Sequence, residues 1–485
     1  MTLPSGGAVG AEVGRSRRTR RPTASVPPIV LAILGGWLLS RRYGFWYDEL
    51  YTAEVATLPL GELWHAFVRG EGTIPYLGDA PPSYNFPYYV VAHLWLAVTG
   101  LAPTEVGLRL LSLVAMVAAA AVFTRVATRL AGPRAGLAAG LAMAANPFVV
   151  QFAVEARSYG LAVLATSVAA MGLVRWLDGD GGLRLYGAAG AVAGLLHWFA
   201  LLPVAALAVA AVVVRGRRAA RPVVLTAAAA AVPTLAVVGT AVANGVGGSG
   251  AEWISDVGLA VPRLLLKSWT AARWPLVVVT VAAAGYGLVR AGRAPRVVGV
   301  AWIALPVALV TAVEPFRPLF VDRYLLPSLL GLALLVGLGV AALPRRAGVA
   351  ALAAVVALSG WATVAEVRLG PKEDVRRAVD WLATEAGGRE PIVAAARWDA
   401  LGVDHYTRRR HPELADQVVL PPGPVPDEPV LWVVRRAKGG VKGDRTKLEA
   451  LDAELVGRGL RLADERRFDG RYADVLVQRW SAAPA

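Results

Sequence analysis

Four short stretches of this 485-residue chain carry side chains able to do chemistry. In "RRYGFWYDELYTAEVA", residues 41–56, Asp48 and Glu49 are adjacent and flanked by Phe45, Trp46, Tyr47 and Tyr51. "VEARSYG", residues 154–160, sets Glu155, Arg157 and Tyr159 two positions apart. "EPFRPLFVDRYLLP", residues 314–327, carries Glu314, Arg317, Asp322, Arg323 and Tyr324. "LLHWF", residues 195–199, adds His197 and Trp198. A carboxylate within hydrogen-bond reach of a hydroxyl can take its proton. A guanidinium stays charged and matches phosphate oxygens with its planar fork. Aromatic rings stack on apolar faces and shape pockets. The chain has no cysteine, which excludes disulfides, thiolate metal sites and cysteine nucleophiles. It has no P-loop pattern.

These groups sit in an apolar chain. Hydrophobic residues make up 56% of it and the mean hydropathy is +0.51, too high for a soluble globular protein and typical of a polytopic membrane protein. The net charge of +15 comes from Arg clusters lying between apolar runs. That pattern fits cytoplasmic loops facing anionic lipid rather than a nucleic-acid surface. The basic "RSRRTRR", Arg15–Arg21, precedes the first apolar run without a cleavage pattern after it, so an uncleaved span with a cytoplasmic N-terminus is expected.

Spanning helices need about 20 apolar residues. The first is expected over 24–42, followed by an outer loop from Asp48 to Pro82. "NFPYYVVAHLWLAVTG", 85–100, is also apolar. If it crossed, Arg125, Arg129 and Arg134 and every later Arg cluster would flip outward. An interfacial helix there keeps them all inside. The remaining spans are expected at 106–124, 135–153, 156–175, 184–198, 199–214, 222–243, 274–290, 297–313, 323–342 and 347–364, about eleven in all. The predicted fold class is therefore a polytopic α-helical membrane protein carrying a small C-terminal α/β domain outside the membrane. Its divisions are a basic tail (1–23), a membrane domain (24–365) and the outer domain (366–485). In the last, "KEDVRRAVDWLATEAGG" reads as an amphipathic helix with Val375, Ala378, Val379 and Leu382 on one face. "EPIVAAA", "EPVLWVV" and "YADVLVQRW" read as strands, with no evident catalytic cluster.

This topology puts all four stretches at one membrane face, together with Glu252 and Asp256 of the loop at 244–258. Ionisable groups at span ends usually face a cavity or a partner, so the grouping points to a polar pocket at the outer leaflet. Each signal also has a plainer reading. Asp48 and Glu49 could cap a helix, Glu155 and Arg157 could pair with each other, and Arg317 and Arg323 could anchor headgroups. His197 could be an ordinary helix-end histidine. Transfer of a sugar from a polyprenyl-phosphate carrier would use this set directly, with Asp48 as base for the acceptor hydroxyl and Arg323 or Arg317 on the phosphate. Asp48, Glu49 and Glu155 could also hold a divalent cation such as Mg²⁺ or Mn²⁺, although the arginines offer the same charge.

The motifs "WYDELYTAE", "APPSYNFPYYVVAHLWLAVTG", "EVGLRLLSLV", "NPFVVQFAVEARSYGL" and "FRPLFVDRYLLP" resemble the GT-C superfamily of glycosyltransferases. Within it they resemble the protein O-mannosyltransferase-like branch, which uses dolichyl- or polyprenyl-phosphate-mannose. The resemblance covers roughly residues 26–345. It implies inverting transfer, with Asp48 at the first-loop catalytic acidic position and Glu49 beside it. Glu155 falls at the second acidic position, and Arg157, Arg317 and Arg323 serve the donor phosphate. Tyr47, Tyr51, Tyr84, Tyr159, His197 and Tyr324 would line the substrate pocket. The first loop would hold two interfacial helices. The expected partners are a polyprenyl-phosphate-linked sugar, an envelope glycan, glycolipid or protein acceptor, and the bilayer of a bacterial plasma membrane, with no nucleic acid. The sugar would be mannose by resemblance, with arabinofuranose as another option. The competing reading is a transporter or flippase of a lipid-linked precursor. No internal repeat supports it, and the polar groups gather at one face rather than mid-span.

Overall fold

The computed structural model describes residues 22–245, 254–386, 389–437 and 442–482. The basic tail and Glu252 lie outside the described residues. After a short 3₁₀ turn comes α1 (Val26–Leu39). The first loop holds α2 (Tyr47–Val55), α3 (Leu60–Arg69) and α4 (Phe86–Thr99). Then follow α5 (Glu105–Ala144), α6 (Pro147–Ala153), α7 (Tyr159–Leu177), α8 (Leu183–Leu196), α9 (Leu201–Arg215) and α10 (Arg217–Ala243). The membrane half closes with α11 (Val261–Trp269), α12 (Trp274–Arg290), α13 (Arg293–Val313), α14 (Leu329–Ala342) and α15 (Arg345–Arg368).

α5 is two arms. At Gly132 the backbone takes φ 87° and ψ 172°, which breaks the helix just before Pro133. Residues 133–144 then lie back along the first arm. A Cβ on Gly136 would collide with Thr128, eight residues earlier, so the arms run side by side. With α5 divided there, each of the eleven apolar segments expected from the sequence is helical. Length and composition nonetheless admit only seven described helices as spans, or eight when the bent pair Gly258–Trp269 and Trp274–Arg290 counts as one. The shortfall lies in α1, α8 and the second arm of α5. Hydropathy finds apolar runs but does not measure how far an uninterrupted helix extends.

The apolar stretch Asp322–Ala342, a 3₁₀ turn running into α14, is the most buried of the candidate spans among the described residues, at 83%. Its backbone touches its neighbours directly: a Cβ on Gly339 would lie 1.8 Å from the Ala283 carbonyl oxygen of α12. Small residues allow helices to approach this closely where lipid supplies no hydrophobic drive.

The C-terminal domain, expected from the sequence to lie outside the membrane, contains α16 (Val375–Glu385), β1 (Ile392–Ala394), α17 (Arg397–Arg410), β2 (Val418–Val419), β3 (Val430–Arg436), α18 (Lys442–Gly457), β4 (Leu460–Phe468) and β5 (Val475–Ala482). The sheet order is β2-β1-β3-β5-β4. β1 runs parallel to β2 and β3, and β5 runs antiparallel to β3 and β4. The three strands expected from the sequence are β1, β3 and β5, and α16 buries the predicted face of Val375, Ala378, Val379 and Leu382. β4 is additional. Its "LRLADERRF" reads as polar because it is an edge strand with its middle exposed.

α17 docks this domain on the first loop. The Tyr406 hydroxyl accepts from the Phe45 backbone N–H at 2.6 Å and donates to Glu105 at 3.0 Å. Glu54 of α2 meets His405 at 2.7 Å, Arg408 at 3.2 Å and Arg409 at 3.4 Å. Burial works against ionising Glu54, but the His405 hydrogen bond and the three nearby cationic groups outweigh it and hold the carboxyl down to about 2. A carboxyl lowered on folding stabilises the fold above its unfolded pKa, near 4.5, and loses that contribution as pH falls toward 2. Glu54→Gln is therefore expected to lower stability by roughly 2 kcal/mol at pH 7 and to flatten the acid loss between these two pH values. Thermal unfolding in detergent across that range measures both effects.

Candidate active site

α2 begins at Tyr47, so Asp48 and Glu49 occupy its first turn, where the helix dipole favours carboxylates. The two then diverge. Glu49 is 1% exposed. Arg109 of α5 grips it with two parallel bonds, Nε to Oε1 at 2.8 Å and Nη2 to Oε2 at 2.6 Å. The Ala156 N–H, in the turn between α6 and α7, donates to the same Oε1 at 2.8 Å. Arg109 also donates to the carbonyls of Tyr43 at 2.6 Å and Gly44 at 2.9 Å. Glu49 thus ties the first loop, α5 and the 154–158 turn together.

Asp48 faces the other way and is partly exposed. Its carboxylate lies 3.6 Å from Arg323 Nη2, longer than a charge-assisted hydrogen bond. Arg323 donates from Nε to the Tyr159 hydroxyl at 2.9 Å and lies over the rings of Trp46 and Tyr324 at 5.5 and 5.8 Å. Arg157 reaches the Asp48 carbonyl and the Tyr89 hydroxyl, each at 3.4 Å. The His197 ring packs against Tyr159 at 5.5 Å and Tyr324 at 5.0 Å. It stands at the break between α8 and α9. A wall results of Arg157 and Arg323, the rings of Trp46, Tyr89, Tyr159, His197 and Tyr324, and the partly open Asp48 carboxylate.

Glu155 does not pair with Arg157, the plainer reading of "EARSY". Its Oε2 accepts from Lys372 Nζ at 2.6 Å, while among the described residues its Oε1 has no hydrogen-bond partner. Lys372 lies in the 369–374 linker to the C-terminal domain, in which the sequence showed no evident catalytic cluster. A cavity of about 70 Å³ adjoins the pair, lined among others by Leu38, Trp46, Glu155, Thr363, Lys372 and Arg471.

The remaining predicted residues divide. Tyr47 is held through its backbone N–H, which donates to Glu373 at 3.3 Å, and by Arg436 over its ring at 5.6 Å. The Tyr51 hydroxyl is spent on the Ala80 carbonyl at 2.7 Å. The Tyr84 side chain lies outside the described residues. Arg317 is exposed on the turn after α13, and the site contacts above involve Arg323 instead. Glu314 is buried and pins that turn by accepting from the Leu319 and Phe320 N–H groups, each at 2.8 Å. Asp256 caps a local turn at the Gly258 N–H, 2.8 Å away. Arg109 and Lys372 were the residues missed. Arg109 sits in the quoted "EVGLRLLSLV", where a lone Arg in an apolar run signals a buried partner.

A divalent cation does not suit this donor set. Glu49 is saturated by Arg109 and a backbone N–H, Glu155 holds an ammonium, and Asp48 faces a guanidinium. Among the described residues no group of three or more His, Asp or Glu side chains is arranged to hold a metal.

No family model and no curated protein matches the sequence. Solved structures of GT-C glycosyltransferases share the fold. The chain aligns with ArnT from Cupriavidus metallidurans bound to undecaprenyl phosphate at a TM-score of 0.56 and 16% identity, covering 94% of this chain and 97% of that one. The archaeal oligosaccharyltransferase AglB from Archaeoglobus fulgidus, in complex with an inhibitory peptide and a dolichol-phosphate, aligns at 0.51 and 11% identity, over 82% of this chain and 64% of that one. The arabinofuranosyltransferase AftD from Mycobacteria aligns at 0.51 and 17% identity, over 95% of this chain and 40% of that one. The chain therefore spans nearly all of ArnT but less than half of AftD.

The Glu49–Arg109 pair makes a direct prediction. Arg109→Met leaves a buried carboxylate without its counter-charge and is expected to lower stability by about 3–5 kcal/mol. Adding Glu49→Gln removes the stranded charge and should recover part of that loss. Thermal unfolding of the two variants in detergent tests this, and a fully stable Arg109→Met would show that the tie is not what holds the loop.

Proposed function

We propose that the protein is a membrane glycosyltransferase that moves a sugar from a polyprenyl-phosphate donor to a hydroxyl of a cell-envelope acceptor. The reaction takes place at the outer face of a bacterial plasma membrane. The observation that carries this reading is the Asp48 carboxylate standing 3.6 Å from the Arg323 guanidinium, at the meeting point of three separate elements. A base beside a phosphate-binding cation is the pairing that glycosyl transfer from a phosphate ester needs. The fold shared with ArnT, whose structure holds undecaprenyl phosphate, and with AglB, whose structure holds a dolichol-phosphate, supports the donor class.

In this mechanism Asp48 accepts the proton of the acceptor hydroxyl as its oxygen attacks the anomeric carbon. The bond from that carbon to the phosphate oxygen breaks, and its electron pair leaves on the polyprenyl phosphate. Arg323, oriented by Tyr159, and Arg157 stabilise the growing negative charge. Attack opposite the leaving phosphate inverts the anomeric centre. Glu49 acts by positioning, since its oxygens are committed to Arg109 and Ala156. His197, Tyr159 and Tyr324 form one wall of the sugar pocket. The sugar is mannose by sequence resemblance, and arabinofuranose is the other candidate, favoured by the fold shared with AftD. A lipid-linked-precursor flippase is the competing reading, and it would not need Asp48 as a base.

The test is transfer of labelled sugar by the purified full chain in proteoliposomes, using a panel of polyprenyl-phosphate sugars and envelope extract as acceptor. Asp48→Asn should lower kcat by about 10²–10⁴-fold with unchanged thermal stability. Arg323→Met should lower it by about 10²–10³-fold. Wild-type turnover by Asp48→Asn would defeat the proposal. Mass spectrometry of a deletion strain should find accumulated polyprenyl-phosphate sugar and a truncated acceptor, which names both substrates.

A further inference from the structure

Lys372 has no part in the mechanism above, yet it is the most enclosed cation of the C-terminal domain's linker. Five of the chain's 50 basic residues are lysines, and this one is 8% exposed. Its ammonium lies 4.0 Å from the centre of the Trp46 ring, 5.0 Å from Phe152 and 5.2 Å from Tyr472. Aromatic faces attract a desolvated cation. The backbone around it is gripped as well. The Arg471 N–H donates to the Pro371 carbonyl at 2.9 Å and the Tyr472 N–H to the Lys372 carbonyl at 3.0 Å. The turn between β4 and β5 therefore fixes where this lysine stands. Its ammonium donates to Glu155 Oε2 at 2.6 Å.

Glu155 itself is 3% exposed and lines the cavity described above, and its second oxygen is buried without a hydrogen-bond partner among the described residues. A buried acceptor left unmade is costly, and an adjoining cavity supplies the place from which a donor can reach it. The groups that face Glu155 are Lys372 from the linker, Glu49 from α2 with Arg109 from α5, and Arg323 ahead of α14. Glu366 and Arg471 stand around the same cavity.

We propose that Lys372 is a positioning residue that holds Glu155 as a carboxylate, one oxygen engaged by the ammonium and the other kept for a hydroxyl or amine entering the cavity. The C-terminal domain would then complete the site by delivering one charge. Burial pushes the Glu155 carboxyl above its ordinary value, Lys372 opposes that push and Glu49 adds to it. Loss of the lysine therefore raises the carboxyl further. The catalytic consequence rests on the transfer reaction proposed above, whereas the electrostatic one does not.

Two readouts keep these apart. In the full chain in lipid nanodiscs, infrared titration follows the protonated-carboxyl band of Glu155, assigned by its loss in Glu155→Gln. Lys372→Met should move that titration up by about 1–3 pH units. An identical titration in wild type and Lys372→Met overturns the proposal. In the transfer assay, the acid limb of the kcat profile should rise by the same amount. Lower activity with an unmoved limb also overturns it, because a merely structural lysine would behave that way. If the wild type transfers no sugar but the infrared shift is present, the proposed reaction fails and the role of Lys372 stands. If Lys372→Met does not fold, Lys372→Met/Glu155→Gln decides. Recovery of the fold on neutralising Glu155 supports the pairing, and equal loss in the double variant counts against it.

Discussion

One buried ion pair organises the face that carries the candidate site. Glu49 and Arg109 are both removed from water, and two charges so placed are tolerated only with close geometry and further hydrogen bonds. The structure supplies both: a two-pronged contact, the Ala156 N–H on one partner, and the Tyr43 and Gly44 carbonyls on the other. The consequence is positional. The loop that presents Asp48, the helix α5, and the turn that presents Glu155 and Arg157 meet at a single point. Neighbouring residues in the sequence thereby take opposite duties, Glu49 holding the frame and Asp48 facing its open side.

The C-terminal domain is the second constraint. It reaches the first loop through Tyr406, His405 and Arg408 of α17, through Glu373 on the Tyr47 N–H, and through Lys372 on Glu155. Arg436 of β3 joins in, spanning Glu373 at 3.6 Å and Asp399 at 2.9 Å while lying over the Tyr47 ring. These side chains come from one helix, one strand and the linker that follows α15. The aromatic cluster around Asp48 is thus clamped between two parts of the fold, and belt-like interfacial residues such as Trp46 and Tyr47 become walls of a site.

Much of this was legible in the sequence, for identifiable reasons. Apolar runs broken by Arg clusters reveal helices because hydropathy and charge act locally. The quoted motifs placed Asp48, Arg157, Tyr159, His197, Arg323 and Tyr324 together, and they do converge in space. What stayed hidden was pairing. Nothing in "EARSY" tells whether Glu155 turns to Arg157 or to a lysine 217 positions away, because that choice is made by the tertiary packing of the linker. Arg317 and Arg323 look equivalent in one motif, yet one lies on an exposed turn and the other beneath two aromatic rings. β4 was unreadable for a different reason: an edge strand that exposes most of its length carries no alternating pattern to detect.

The packing of α14 has a mechanical corollary. Arg323 lies in the 3₁₀ turn that runs straight into this helix, whose main chain rests against that of α12 and, at Gly337, of α5. Protein interiors at such density transmit displacement rather than absorb it. The guanidinium is in effect bolted to the frame, so any clearance for a molecule arriving at the candidate site has to open on the opposite jaw, among the first loop and the linker laid over it.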